Sequence, residues 1–255
     1  MKHANPAGTR IEKEGAMELR RSGMASRLSR GSRTASRIFH RSNLLALVGI
    51  LLLLGMPMAS HGLEAGVVLG PGVGWVGGSD WKDDLSAEGM EDGNTSEFLY
   101  GAFLRVPLFH WKGVSFRLRP EVQLMRPGGS GSSSTADMDV SAKVLHFPLG
   151  FEAWYPLPFG AVYGFVGPSI NLFLTEIEYR YESTDTNTVE TGSNTPYYGV
   201  VVGALAGMGY AFPITTFSIQ MELRFTHTIS LVLKDKDATF GGLYFLLGAF
   251  VPVRG

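Results

Sequence analysis

Cysteine is absent from the 255 residues, and charged side chains make up only 18% of the chain. Without thiols the protein cannot form disulfides, zinc–thiolate sites or a cysteine nucleophile. The sparse charge, the 45% apolar content and a mean hydropathy of +0.10 also exclude a disordered chain and a coiled coil. This length and composition suit one barrel or sandwich domain.

The net charge of −1 hides two unlike regions. Residues 1–43 hold ten Lys or Arg and three Glu, a net charge of +7, so the rest of the chain carries −8. An acidic body offers no cationic face to phosphates, and we therefore predict no nucleic-acid partner. A basic head on such a body favours a targeting segment.

The basic head is followed by an uncharged apolar run at residues 44–54 and then by the small residues Ala59 and Ser60. The run is too short for a bilayer-spanning helix, which needs about 20 residues, but it suits the apolar core of an export signal. We therefore predict a basic n-region and signal peptide at residues 1–62, cleaved near residues 59–62. The mature domain is then 63–255. An uncleaved anchor holding a periplasmic domain is the alternative.

The body alternates between apolar and polar residues with a period of two, most clearly at residues 114–125 and 217–231. A period of two predicts β-strands, since a helix repeats every 3.6 residues. Six weaker segments follow the same pattern: 63–76, 98–108, 144–155, 162–179, 198–210 and 242–253. The pattern slips near Phe173, where we predict a bulge. Proline within strands removes a ladder donor, so irregularities are also predicted at Pro107, Pro120, Pro148 and Pro168.

The connections between these eight strands alternate in length. Short turns at 109–113, 156–160 and 212–215 alternate with long polar loops at 77–96, 127–139, 182–196 and 232–240. This alternation predicts an all-β fold, an eight-stranded antiparallel up-and-down transmembrane β-barrel in the bacterial outer membrane. Aromatic residues near both sets of connections suggest two interfacial girdles. Those near the short turns are Phe109, Trp111, Trp154, Tyr155, Phe159, Tyr163, Tyr210, Phe212 and Phe217; those near the long loops are Trp75, Phe98, Tyr100, Tyr179, Tyr181, Tyr197 and Tyr198.

Two other folds remain open at this point. A secreted lipocalin-like binder gives the same alternation with the apolar face turned inward. A helical membrane protein is suggested by the uncharged stretches 153–175 and 197–216, although the first contains three prolines and three glycines.

Five short segments carry a family resemblance: residues 105–108 (RVPL), 118–124 (LRPEVQL), 145–152 (LHFPLGFE), 162–170 (VYGFVGPSI) and 203–212 (GALAGMGYAF). In order and spacing the sequence resembles the PorT-like, porin-like outer-membrane β-barrel family. The resemblance covers most of residues 63–253. It implies an eight-stranded outer-membrane barrel and supplies no substrate.

In the barrel interpretation, one polar set points into the lumen. Its members are Arg105, Arg117, Arg119, Glu121, Gln123, Glu152, Gln220, Glu222 and Arg224. Four Arg and three Glu in a confined space are expected to pair, because an isolated charge there would be uncompensated. An eight-stranded barrel is just wide enough for side chains to fill, so we predict a plug that fixes strand register, in preference to an ion pathway.

We predict no catalytic, cofactor-binding or metal-binding site and therefore no enzyme. The alternative is a lipid-binding or lipid-modifying barrel, for which His227 and Ser230 are the candidate pair. The expected partners are membrane lipid, the barrel-assembly machinery and a possible surface ligand at the acidic loops. The acidic loop residues do not follow the spacing of a calcium-binding loop. They are Asp80, Asp83, Asp84, Glu88, Glu91, Asp92, Glu182, Asp185 and Glu190.

Overall fold

The computed structural model describes residues 62–183, 185–194, 200–229 and 238–253. The predicted signal peptide lies outside the described residues, apart from its last residue, Gly62. In chain order the elements are β1 (Glu64–Gly77), α1 (Ser79–Ala87), β2 (Glu91–Gly93), β3 (Thr95–Trp111), β4 (Val114–Met125), β5 (Gly128–Ser132), β6 (Ala136–Ser141), β7 (Val144–Leu157), β8 (Gly160–Phe173), β9 (Ile177–Ser183), β10 (Thr188–Asn194), β11 (Val200–Pro213), β12 (Ser218–Thr228) and β13 (Thr239–Pro252). Among the described residues, no helix is long and apolar enough to cross a membrane.

Eight of the strands close into an antiparallel barrel in the order β1, β3, β4, β7, β8, β11, β12 and β13. Strand β1 pairs with both β3 and β13, so the barrel has no free edge. The predicted eight-stranded up-and-down barrel is confirmed. Both stretches considered for a helical membrane protein contain barrel strands where they are described.

The two ends of the barrel differ. At one end, tight turns join β3 to β4, β7 to β8 and β11 to β12, and the first residue of β1 pairs with the last of β13. The first of these turns contains Lys112 and Gly113, both with positive φ (47° and 84°), a geometry that favours glycine and matches the twist of a hairpin. We call this the short-turn end.

The opposite end carries a second sheet, which corrects the prediction that the strands there are joined by long polar loops. Strands β10, β9, β6, β5 and β2 form a five-stranded sheet in that order. Helix α1 lies against it through Leu85, whose side chain occupies the space above Gly131. We call α1 and this sheet the cap.

Much of the cap continues the barrel hairpins. Met125 pairs with Val144 in the barrel, and Gly128 pairs with Ser141 in the cap, in an unchanged register. Strands β4–β5 and β6–β7 therefore form one long hairpin that leaves the barrel at residues 126–127 and 142–143.

The bulge predicted at Phe173 is wrong. Strand β8 ends at that residue and β9 begins in the cap sheet at Ile177. The slip in the apolar pattern marks the passage from one sheet to another, with a two-residue change of register between the β7–β8 and β6–β9 ladders.

Of the four strand prolines, Pro107 alone coincides with a register shift, between Pro107 and Phe109. The register does not shift at Pro120, Pro148 or Pro168, but pairs are missing from the ladders beside them, between β3 and β4, between β4 and β7, and between β7 and β8. The predicted irregularities there are local gaps in pairing, as expected where proline lacks a ladder donor.

The glycine-rich segment that follows β4 is packed, not loose. Gly128, Gly129 and Gly131 are buried in β5. A Cβ atom on Gly129 would lie 2.7 Å from the backbone nitrogen of Val76, so the cap strand can approach β1 only because a side chain is missing.

Candidate functional site: the lipid-facing surface and the lumen

Strand β12 shows which face of the barrel sheet points outward. Ile219, Met221 and Leu223 are 37%, 37% and 45% exposed, and the polar residues between them are at most 1% exposed. The apolar face therefore points out of the barrel and the charged face points in. A lipocalin-like binder requires the reverse arrangement, with an apolar interior around its ligand.

The outward apolar side chains continue around the whole barrel. They include Val67, Leu69, Phe98, Tyr100, Val122, Phe151, Val166, Val202, Met208, Phe225, Phe245 and Leu247, each at least 40% exposed. A continuous apolar surface of this kind is unsuited to water and suited to acyl chains.

Arg119 lies at the centre of the lumen and contacts three carboxylates. Its Nη1 donates to Glu152 Oε1 at 3.1 Å and to Glu222 Oε2 at 2.7 Å. Its Nε forms an ion pair with Glu121 Oε1 at 3.0 Å. All four side chains are fully buried, so each charge depends on the others for compensation.

Arg224 occupies the neighbouring position towards the cap. Its two terminal nitrogens donate to the two oxygens of Glu121, each at 3.1 Å, and its Nε donates to Glu222 Oε1 at 2.7 Å. This two-pronged geometry is the strong form of an arginine–carboxylate contact. Gln123 donates its side-chain amide to Glu121.

Arg105 lies on the short-turn side of Arg119. It donates from Nε to Glu152 Oε2 at 2.9 Å and from Nη2 to Gln220 Oε1 at 2.5 Å. Its guanidinium carbon lies 4.4 Å and 4.5 Å from the ring centres of Phe250 and Trp154. These rings take the place of water around the cation.

At the short-turn end, Arg117 donates to Glu64 Oε2 at 2.8 Å, and both side chains are about one-fifth exposed. The four Arg residues thus meet four Glu residues in one chain of contacts. We call it the ion-pair column, and its charged members are Glu64, Arg105, Arg117, Arg119, Glu121, Glu152, Glu222 and Arg224.

All nine lumen residues expected from the sequence point inward. Eight are buried and Arg117 is half-buried at the mouth. Sequence reasoning missed two further glutamates, Glu64 and Glu97. Glu64 is the first residue of β1. Glu97 accepts one hydrogen bond from the hydroxyl of Tyr244 and a second, at 2.9 Å, from the backbone N–H of Gly128. The second contact ties the cap to the barrel wall.

Two aromatic residues assigned to the girdle near the short turns belong to the lumen instead. Trp154 and Tyr163 are 5% and 3% exposed and stack on each other with ring centres 4.5 Å apart. They donate hydrogen bonds to Glu152 at 2.7 Å and Glu222 at 3.1 Å. The sequence contains a signal for Trp154, which lies two residues from Glu152 and therefore shares its face of the strand. The assignment to the girdle followed the position of these residues near short turns instead.

A second correction concerns the girdle near the long loops. Tyr179 and Tyr181 lie in β9 of the cap, where they pack against the buried core. Tyr197 and Tyr198 lie outside the described residues.

The glycines of the lumen wall make room for these large side chains. The Cβ position of Gly74 coincides with the carboxylate of Glu97, and that of Gly209 with the ring of Tyr163. A cavity of about 10 Å³ beside His146 and Ser169, at the cap end, has room for roughly one water molecule.

Of the pair suggested for lipid hydrolysis, His227 lies on the outward face, half-buried, with its ring 6.3 Å from that of Phe225. Ser230 lies outside the described residues. The absence of catalysis therefore stays a prediction.

A closed barrel with an apolar outer surface and a charged interior is a transmembrane β-barrel of the bacterial outer membrane. Every barrel strand has 11 residues or more, enough to cross a bilayer at the usual tilt.

Three solved structures of small outer-membrane proteins are similar to this fold. Ail of Yersinia pestis, solved with a heparin analogue, is 13% identical, with a TM-score of 0.33 over 74% of this chain and 99% of that chain. Neisserial surface protein A is 12% identical, with a TM-score of 0.37 over 75% and 97%. OprG of Pseudomonas aeruginosa is 10% identical, with a TM-score of 0.41 over 75% and 96%.

No protein-family model matches the chain, and no curated protein matches it. The resemblance to the PorT-like family therefore stays a prediction.

Proposed function

We propose that the protein is a closed, non-enzymatic scaffold of the PorT-like kind that holds its cap at the cell surface for interaction with other molecules. The observation that carries the proposal is the ion-pair column. Its proposed partners are membrane lipid, the barrel-assembly machinery and a surface ligand of the cap.

The column argues against transport. Its three central arginines and three central glutamates are buried and joined by ion pairs of 3.1 Å or less. A solute would have to separate these pairs and leave charges without partners, at a cost of several kcal/mol for each.

We expect the folded protein to show negligible conductance in planar lipid bilayers, because side chains fill the lumen. A porin inserted under the same conditions provides the positive control. Large and stable single-channel steps from the purified protein would contradict the closed lumen.

The cap is the part of the described chain that extends beyond the barrel wall on the side of the long connections, which faces outward in outer-membrane barrels. Its sheet turns Val140 inward and Asp137 and Asp139 outward. Glu91, Asp137 and Glu182 lie in one row across the exposed face, linked through Ser132. This row is the acidic surface that a ligand would meet.

Neutralising this row tests the interaction role. Deleting residues 79–94 is unsuitable, because it removes the buried Trp81 and Leu85. We expect the triple variant Glu91→Gln, Asp137→Asn and Glu182→Gln to lower binding of the protein to host or cell-surface material severalfold. The control is Lys112→Gln in a short turn, which leaves the cap intact. Equal binding by the triple variant and the wild type would contradict a role for this face.

A further inference from the structure

Two cations face each other where the long hairpin leaves the barrel. Arg126 directly follows β4 and Lys143 directly precedes β7. The backbone N–H of Ala142 donates to the carbonyl of Pro127 at 3.0 Å, so the β4–β7 register continues through this point. Arg126 is therefore the cross-strand neighbour of Lys143.

Both side chains belong to the outward face. Met125 and Val144, the neighbours that point into the lumen, are 7% and 1% exposed. Alternation along each strand then places Arg126 and Lys143 on the outer surface, one step beyond the outward pair formed by Leu124 and Leu145. The two cations lie at the boundary between the apolar belt and the cap.

Like charges directly opposite each other in a ladder destabilise the sheet. The neighbouring groups only partly offset the two positive charges. Arg126 donates from Nε to Ser141 Oγ at 3.2 Å and from Nη2 to Glu178 Oε2 at 3.3 Å, and the side chains of that ion pair are 58% and 56% exposed. An ion pair as exposed as this contributes little to the free energy of folding.

Lys143 has no side-chain partner within the part of the chain that the structure describes; its contacts there are made by its backbone. In the described barrel strands and short turns, the other cations lie in the ion-pair column or in the turn at Lys112. Among the described residues of the barrel strands and their flanks, the cap end thus carries one localised pair of cations.

We propose that Arg126 and Lys143 bind the phosphate of an anionic lipid headgroup in the leaflet that surrounds the cap end. The planar guanidinium can offer two parallel donors to phosphate oxygens, and the ammonium adds a mobile point charge. Basic residues at the edge of an apolar belt stand at headgroup height. The bound phosphate also relieves the repulsion between the two cations. The inference rests on the membrane placement of the barrel.

The test uses the folded full-length chain in lipid vesicles, with spin-labelled phosphatidic acid and spin-labelled phosphatidylcholine as probes of lipid association. We expect the wild type to prefer phosphatidic acid. We expect each of Arg126→Gln and Lys143→Gln to lower this preference about fivefold, because a basic residue near an anionic surface contributes roughly 1 kcal/mol to binding. Glu178→Gln raises it by removing the competing carboxylate. Lys112→Gln, which removes a cation that has no second cation opposite it in the ladder, lowers the preference less than either Arg126→Gln or Lys143→Gln.

Three outcomes would overturn the site. These are an unchanged preference in the double variant Arg126→Gln with Lys143→Gln, an equal loss in Lys112→Gln, and displacement of the lipid probe by millimolar inorganic phosphate, which would make the ligand the free anion.

The membrane placement is checked separately with a spin label at Leu223→Cys, the single cysteine in such a variant. A label that collides with lipid-soluble oxygen while the preference is unchanged disproves the phosphate site alone. A label in contact with water disproves the placement itself.

Discussion

Replacing Arg119 with methionine is expected to lower the free energy of unfolding of the barrel by about 3–5 kcal/mol. The side chain is fully buried and contacts the carboxylates of Glu121, Glu152 and Glu222. Its removal leaves three buried glutamates to two central arginines. The measurement is denaturant unfolding in lipid vesicles, supported by the temperature at which the folded band is lost in gel electrophoresis.

A charge-balanced double variant, Arg119→Met with Glu222→Met, provides the matched control. Two complete pairs remain, Arg105 with Glu152 and Arg224 with Glu121. Exchange of a buried ion pair for apolar side chains is often nearly neutral, so most of the lost stability is expected to return. A double variant that is less stable than Arg119→Met would show that packing, not charge balance, dominates.

Replacing Leu223 with arginine is expected to destabilise the folded protein by about 2–4 kcal/mol. Leu223 is the central residue of β12, faces outward and lies between Met208 and Phe245 on the adjacent strands. A guanidinium at this depth enters the hydrocarbon, where water cannot solvate it. The unfolding transition of the vesicle-inserted protein measures the effect.

The same substitution at Phe217 is the control, because this residue precedes β12 at the short-turn end. The cost near an interface falls to about 0–1 kcal/mol. Equal, small costs at both positions would show that the outward face meets water, and the membrane interpretation would then be wrong.

The barrel was predictable because its evidence is local. Along β12, apolar and polar residues alternate, so the sequence alone assigns each residue to one of two faces. If the apolar face is turned to lipid, then Gln220, Glu222 and Arg224 must point inward. The strand bounds agree closely in β4, which the pattern and the structure both place at residues 114–125.

Partners within the lumen were not predictable to the same degree. The three carboxylates around Arg119 come from β4, β7 and β12, and their contacts depend on strand order, shear and the depth of each side chain. Trp154 shows the limit clearly, since its position near a turn favoured the membrane surface although its side chain lies inside beside Glu152.

The cap was hidden for a different reason. Its Gly- and Ser-rich strand β5 has the composition of a flexible loop, and it becomes a strand only through pairing with β6 and β2 and close packing under Leu85. Strand β6 is a close neighbour in the chain, but β2 and Leu85 precede β5 by more distant segments, and no local pattern reports such neighbours.

By itself, then, the amino-acid order determined the eight strands, their two faces and the set of charges that shares the interior, because alternation along a strand is a property of a few consecutive residues. The tertiary structure decided which charges pair, that the outer connections fold into a sheet, and that Arg126 stands opposite Lys143. Each of these depends on the register between different strands, which the alternation within any one strand does not specify.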